Sequence, residues 1–353
     1  MSSWANRHLL RKRDLSQIPE PFRPIIVPRV DRPEVILSET FQMKYTRESS
    51  DDMDDTKNQI IYPNDSFRSL FGGTDAFKSG AKEKSNSTVY PVKKIEPSRA
   101  SAIELAYQGK SYVFVLLRNL RTTRDNDLWI TSYNKIRQFY TNKIVIIDDN
   151  SSINTVNGKL VNTEIIMSEW NGAGEILPYY YFLLNKWADR MIFLHDSMFM
   201  YRPFTNSELD GSVKFHWYFG NKDLGGKFSA YLSLLKNHDA LIEYAKGMQW
   251  NGCFGGASII DLGIVQQLEE TYSLFSTLVS AIRTRKEREI FERILGIVLY
   301  YEQVVDENMC SNFGEIAKYP GAFVSDQNNF DTAAHQLSQA RYDTAIIKVW
   351  RGR

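Results

Sequence analysis

The sequence predicts an α/β fold built on a mixed, mostly parallel, Rossmann-like sheet flanked by helices, and three apolar runs predict it. Residues 112–117 read YVFVLL, residues 143–151 read KIVIIDDNS, and residues 191–194 read MIFL. Each run is too short for a core helix and rich in β-branched or large apolar residues, as expected of a strand buried on both faces of a parallel sheet. Each also ends abruptly in polar residues: Arg118-Asn119, Asp148-Asp149-Asn150 and His195-Asp196-Ser197.

Helical stripes separate the runs. Trp129, Tyr133, Ile136 and Tyr140 recur at i, i+4, i+7 and i+11 between the first two. A fourth strand is expected at residues 164–167 (EIIM) and a turn at Asn171-Gly-Ala-Gly-Glu175. Ile176, Tyr180, Leu183, Leu184 and Trp187 then form a second stripe before the MIFL strand. Strand, helix, strand, strand, helix, strand is a doubly wound pattern. Ligands of such sheets bind outside the carboxyl ends of the strands, where the polar residues fall here.

Farther along, residues 213–219 (VKFHWYF) alternate as one half-buried strand, and Leu232, Leu235, His238, Leu241 and Ile242 suggest a helix. The glycines of residues 252–256 permit close backbone approach or a bulge before a strand over residues 257–261. Ile264, Leu268, Tyr272, Phe275, Leu278 and Ile282 hold one helical stripe, and Ile290, Ile294, Ile297, Val298 and Tyr301 the next. Arg285, Glu289 and Arg293, and likewise Arg288 and Glu292, stand at i, i+4 spacing, which surface ion pairs explain. Residues 345–350 form a last apolar, strand-like run, with Lys348, Arg351 and Arg353 around it.

In their order and spacing, YVFVLLR, KIVIIDDNS and MIFLHDS resemble the nucleotide-sugar-binding half of GT-A-fold glycosyltransferases, over roughly residues 111–300. The resemblance implies a GT-A-like sheet and transfer of a sugar from a nucleotide-diphosphate donor, a UDP- or GDP-sugar, with inversion. The acceptor would be a hydroxyl of a glycan or glycoprotein. It implies that Arg118 holds base and ribose, that Asp148 and Asp149 contact the base, and that residues 195–197 hold ribose and a divalent metal, Mn or Mg. It also implies that the Gly-rich turn lines the acceptor side. This chain departs from the pattern at His195-Asp196-Ser197, where an Asp-x-Asp motif is expected. Asp196 is then the one carboxylate for a hard cation, with His195 better suited to Mn than to Mg. Arg118, Arg121, Lys348 and Arg351 are candidates to offset the leaving diphosphate's charge. An inverting enzyme also needs a carboxylate base. Glu292 is the candidate, with Asp223 in its glycine-flanked loop as second choice. The thinned motifs also fit an alternative, a catalytically inactive GT-A-like binding or structural module.

Other classes fit less well. A nucleotide-sugar pyrophosphorylase calls for a glycine-rich loop after the first strand, where residues 118–121 contain no glycine. For a dinucleotide fold, Gly172-Ala-Gly174 is a late fragment of the expected fingerprint. A net charge of +1 gives no global pull toward nucleic acid. Two cysteines in 353 residues do not describe a disulfide framework. No run approaches the roughly 18 apolar residues of a membrane span, and residues 1–30 carry no apolar leader-like stretch. The expectation is a soluble, cytoplasmic protein. Its domains are an extended arm over residues 1–100, the transferase domain over 101–330, and a tail over 331–353 packing on or near the site. Five of the eleven prolines lie at positions 19, 21, 24, 28 and 33, which excludes a helix there. Arg7, Arg11, Lys12 and Arg13 offer at most a weak peripheral contact with an anionic membrane.

Overall fold

The computed structural model describes residues 93–96, 99–153, 158–220, 227–247, 249–305, 309–321 and 329–350. Nearly all of the expected N-terminal arm lies outside them, as do Asp223, Arg351 and Arg353.

The expected sheet is present. β2 (Lys110–Arg118), β3 (Ile144–Asp148), β4 (Thr163–Met167) and β5 (Arg190–His195) pair in parallel, in the order β4-β3-β2-β5. β10 (Ser258–Asp261) joins β5 antiparallel, and β7 (Val213–Phe215) joins β10 antiparallel. The two-residue β1 (Ala106–Tyr107) folds back on the start of β2. The architecture is α/β, a mixed and mostly parallel sheet flanked by helices, consistent with a Rossmann-like, GT-A-like fold.

The uninterrupted apolar runs have a simple cause. Successive side chains of a strand point to opposite faces, and both faces here are covered. Val113, Val115 and Leu117 enter one core with Val145, Ile147, Met191 and Phe193. Tyr112, Phe114 and Leu116 enter the other with Ile144, Ile146, Ile192 and Leu194. The first core is closed by α2 (Leu177–Asn185), α6 (Leu262–Tyr272), α7 (Leu274–Ala281) and α8 (Arg285–Tyr301). The second is closed by α1 (Thr123–Arg137), α9 (Phe330–Ala340), β6 (Met198–Met200) and β11 (Ile346–Lys348). Fully burying each such aliphatic or aromatic side chain contributes about 1.5–3 kcal/mol. Thr122 starts α1 with a reciprocal capping box to Asp125, and Thr284 starts α8 in the same way with Glu287.

Three sequence expectations are corrected. Residues 213–219 are two strands, because the chain leaves the main sheet at the fully buried His216 and Trp217. β8 (Tyr218–Gly220) then pairs with β9 (Asn251–Cys253) in a separate ribbon. The stripe from Ile264 to Ile282 is carried by α6 and α7, broken at Ser273, whose φ is 51°. The Glu269 carboxylate accepts the Phe275 and Ser276 N–H groups that the break exposes. Apolar periodicity therefore persists through a break it cannot report. The helix expected around residues 232–242 is likewise two, α4 (Lys227–Leu232) and α5 (His238–Lys246), separated at Asn237 with φ of 54°. Between β6 and β7, Asn206–Leu209 is a single short turn, α3.

Candidate active site

The polar ends of the parallel strands converge. Arg118 lies directly opposite Asp148 in the β2–β3 register, and its Nε is 2.6 Å from Asp148 Oδ2, both side chains fully buried. The guanidinium also stands 4.7 Å from the centre of the Trp129 ring. Burial lowers the Arg118 pKa, with Asp148 and Asp196 opposing that shift. The other Asp148 oxygen accepts the Ser151 N–H at 2.8 Å, closing the turn after β3.

Asp149 accepts N–H groups of Gly172 and Gly174 at 2.6 and 3.1 Å. Burial raises its pKa, and those two bonds and Arg288 pull it back. The turn it holds needs its glycines: Gly172 and Gly174 have φ of +82° and +58°, and a Cβ at either would collide with Arg283 or Arg288. Asp148 and Asp149 thus lie where the sequence puts them, with their carboxylates engaged by Arg118, the 148–151 turn and the 172–174 turn.

His195 and Asp196 end β5. His195 Nε2 is 2.7 Å from the Gly255 carbonyl, which can only accept, so that nitrogen carries the proton. The ring also stacks on Phe193 at 5.2 Å. The Asp196 N–H binds the Leu117 carbonyl at 2.9 Å, tying the end of β5 to β2. Gly255 has φ of +63°, and a Cβ there would lie 2.7 Å from His195 Nε2, so the close approach requires glycine.

The chain end reaches the same place. β11 pairs antiparallel with β6, which follows Ser197 directly. Lys348 Nζ donates to Ser197 Oγ at 2.8 Å, and the Val349 N–H to the Ser197 carbonyl at 2.9 Å. The Tyr319 hydroxyl accepts from the Lys348 N–H and donates to its carbonyl, both at 2.9 Å. The half-buried Trp350 ring lies 5.4 Å from Phe254 of the Gly-rich turn. The tail is thus both an added strand and a neighbour of residues 195–197.

Sequence reasoning missed Glu175, which it read as part of a turn. Its carboxylate lies 3.0 Å from Arg288 Nε, and Arg288 Nη1 donates to the Gly172 carbonyl at 3.3 Å. The i, i+4 expectation holds for Arg285 and Glu289, an exposed pair at 3.2 Å. It fails for Arg288, which turns away from Glu292 toward Glu175. Burial pushes the Glu292 pKa well up, and the charge of Glu175 adds to the rise. The Glu175 pKa is also raised by burial, with Arg288 and Lys348 pulling it down. A glutamate closing a Gly-x-Gly turn was the one signal for this residue.

Among the described residues, no group of three or more His, Cys, Asp and Glu side chains is arranged to hold a metal. His195 Nε2 donates to the Gly255 carbonyl, which makes Nδ1 the unprotonated ring nitrogen, the one through which such a histidine ligates a metal. Asp196 is the one carboxylate of residues 195–197, and it is buried. No described helix is long and apolar enough to cross a membrane. A separate cavity of about 460 Å³, lined by Gly109, Lys110, Asp189 and Asp261, opens at the amino ends of β2 and β5, away from this cluster.

No protein-family model matches the chain, and no curated protein matches it. Among solved structures it is similar to the mannosyltransferase Ktr4p from S. cerevisiae, at 9% identity and a TM-score of 0.32. That alignment covers 59% of this chain and 71% of the other.

Proposed function

We propose that this protein is a glycosyltransferase that moves a sugar from a UDP- or GDP-sugar to a hydroxyl of a glycan or glycoprotein, with inversion. The observation that carries the reading is the convergence of Arg118, Asp196 and Lys348 at the carboxyl ends of β2 and β5, with Glu175 on the glycine turn beside them.

The chemistry needs three things. The donor must be held, and Arg118 with Asp148 and Asp149 frames the base pocket, acting chiefly by fixing its walls. The leaving diphosphate must be offset, and Lys348 supplies a cation beside Ser197, with Arg351 of the same tail as a further donor. A divalent cation bound with the diphosphate would be anchored by Asp196 and would supply additional charge neutralisation. The acceptor must be deprotonated, and Glu292 is the base, with Asp223 as second choice.

The test is a thermal-shift panel of UDP- and GDP-sugars with and without Mn²⁺, followed by turnover assays on glycan acceptors. A stabilising donor that is consumed supports the transferase. Binding without turnover under any metal would instead leave a nucleotide-binding module, and no binding at all would sink both readings.

A further inference from the structure

Two hydroxyl groups close the outer edge of β11. Alternate residues of this segment turn to β6: the Ala345 carbonyl accepts the Tyr201 N–H at 2.8 Å, and the Val349 N–H donates to the Ser197 carbonyl at 2.9 Å. In antiparallel pairing the residues between them turn their N–H and C=O groups the other way, and here these are Ile346 and Lys348. Among the described strands, none pairs with that edge. The Thr344 hydroxyl accepts the Ile346 N–H at 3.1 Å and donates to its carbonyl at 2.6 Å. The Tyr319 hydroxyl does the same for Lys348, at 2.9 Å each way, from 29 residues away.

Thr344 lies two residues from its target, so its contact is local. Tyr319 has to be brought to Lys348, and its surroundings do that. Its buried ring stands 5.1 Å from Trp217 and 5.6 Å from Tyr342, edge-on to both. Trp217 Nε1–H donates to the Tyr342 hydroxyl at 3.1 Å, and that hydroxyl donates to the Phe313 carbonyl. A Cβ at Gly321 would collide with the Tyr319 ring. Burial raises the Tyr319 pKa, so the hydroxyl keeps its proton and both donates and accepts. The side chain of the residue it holds points into the site, where Lys348 Nζ donates to Ser197 Oγ at 2.8 Å.

We propose that Tyr319 is the positioning residue for Lys348: its hydroxyl takes the place of a neighbouring strand at that one residue and so fixes where the lysine amine stands beside Ser197. The backbone is held on one edge by Tyr319 and, through Val349, on the other by Ser197. The amine then reaches its place with less conformational freedom left to lose. The role in transfer rests on the glycosyl-transfer reading, in which that amine offsets the leaving diphosphate. Tyr319 acts on it through Lys348.

The test is a double-mutant cycle of Tyr319→Phe and Lys348→Met, read by calorimetry with UDP and GDP as probes. Tyr319→Phe keeps the ring and weakens nucleotide binding by about three- to tenfold. Once Lys348 is replaced, the same change does nothing more. An equal loss in both backgrounds, or no loss in either, overturns the proposal. Tyr342→Phe is the control, since it removes a buried hydroxyl from the same aromatic cluster without touching Lys348; a loss there matching that of Tyr319→Phe also overturns it. If Tyr319→Phe folds poorly, Gly321→Ala, which displaces the ring, takes its place. A second measurement needs no nucleotide. In protein carrying isotope-labelled lysine, the Lys348 ammonium NMR signal, identified by its loss in Lys348→Met, shifts in Tyr319→Phe and stays in Tyr342→Phe. A shifted signal in a protein that binds neither UDP nor GDP upholds the positioning and sinks the transferase reading alone. An unshifted signal overturns the positioning whatever binds.

Discussion

At the amino ends of β2 and β5, Asp261 lies 2.6 Å from Lys110 and 2.5 Å from Arg190, and Asp189 accepts the Ser111 N–H and hydroxyl. Every charge there has an opposite charge or a donor beside it. At the carboxyl ends Arg118 and Arg288 are also paired, with Asp148 and Glu175, but burial there raises the pKa values of Asp149, Glu175 and Glu292. Both ends hold the same sheet together. One arranges its charges for neutrality, and the other holds carboxyls whose proton affinity burial has raised. Such groups concentrate where chemistry is done, which is why the cluster rather than the cavity at the amino ends is the candidate site.

The comparison can be broken most severely at Asp148. Asp148→Ala leaves Arg118 buried without its carboxylate, and denaturant unfolding should show a loss of about 3–5 kcal/mol. A loss under 1 kcal/mol would mean that the pair is not buried as described.

His216 lies beneath the site, its Nε2 3.1 Å from the Phe193 carbonyl and its ring between Phe204 and Phe313. Burial lowers its pKa from 6.5 to about 3. Below pH 6.5 the unfolded chain takes up a proton that the folded chain refuses, so stability falls as pH drops toward 3. Between pH 7 and 4 this single group should cost about 3 kcal/mol. Urea unfolding across that range should show His216→Phe with a flatter acid limb than the wild type. Equal slopes would remove His216 as the cause.

Lys348→Met tests the carboxyl end more gently. It removes one charged hydrogen bond without cutting the tail, so nucleotide-sugar binding measured by calorimetry should weaken by about 1.5–3 kcal/mol, with the melting temperature nearly unchanged. A lower melting temperature with unchanged binding would leave β11 as an edge strand alone. The smallest effect is expected at the amino end. Lys110 is about a third exposed, and Lys110→Ala should change stability by about 0–1 kcal/mol. A larger loss would show that neutrality at that end matters more than its exposure implies.

The strands and their polar ends were legible in the chain because apolar runs and turn residues are local signals, and α1 and α8 announce themselves by periodicity. Legibility stopped where a local pattern is compatible with more than one outcome. Alternation over residues 213–219 does not tell one strand from two in different sheets, and a continuous stripe does not reveal the break at Ser273. The spacing of Arg288 and Glu292 allowed a helical ion pair, yet packing of α8 against the Gly172–Gly174 turn gave Arg288 to Glu175 instead. Lys348 was recognisable as a cation on an apolar tail, but its place beside Ser197 required β11 to find β6. Sequence by itself determined which residues are strand, helix and strand-end polar groups, since these depend on neighbours along the chain. The tertiary structure decided which charges face each other, because that depends on contacts between segments far apart in sequence, fixed by how the two cores close.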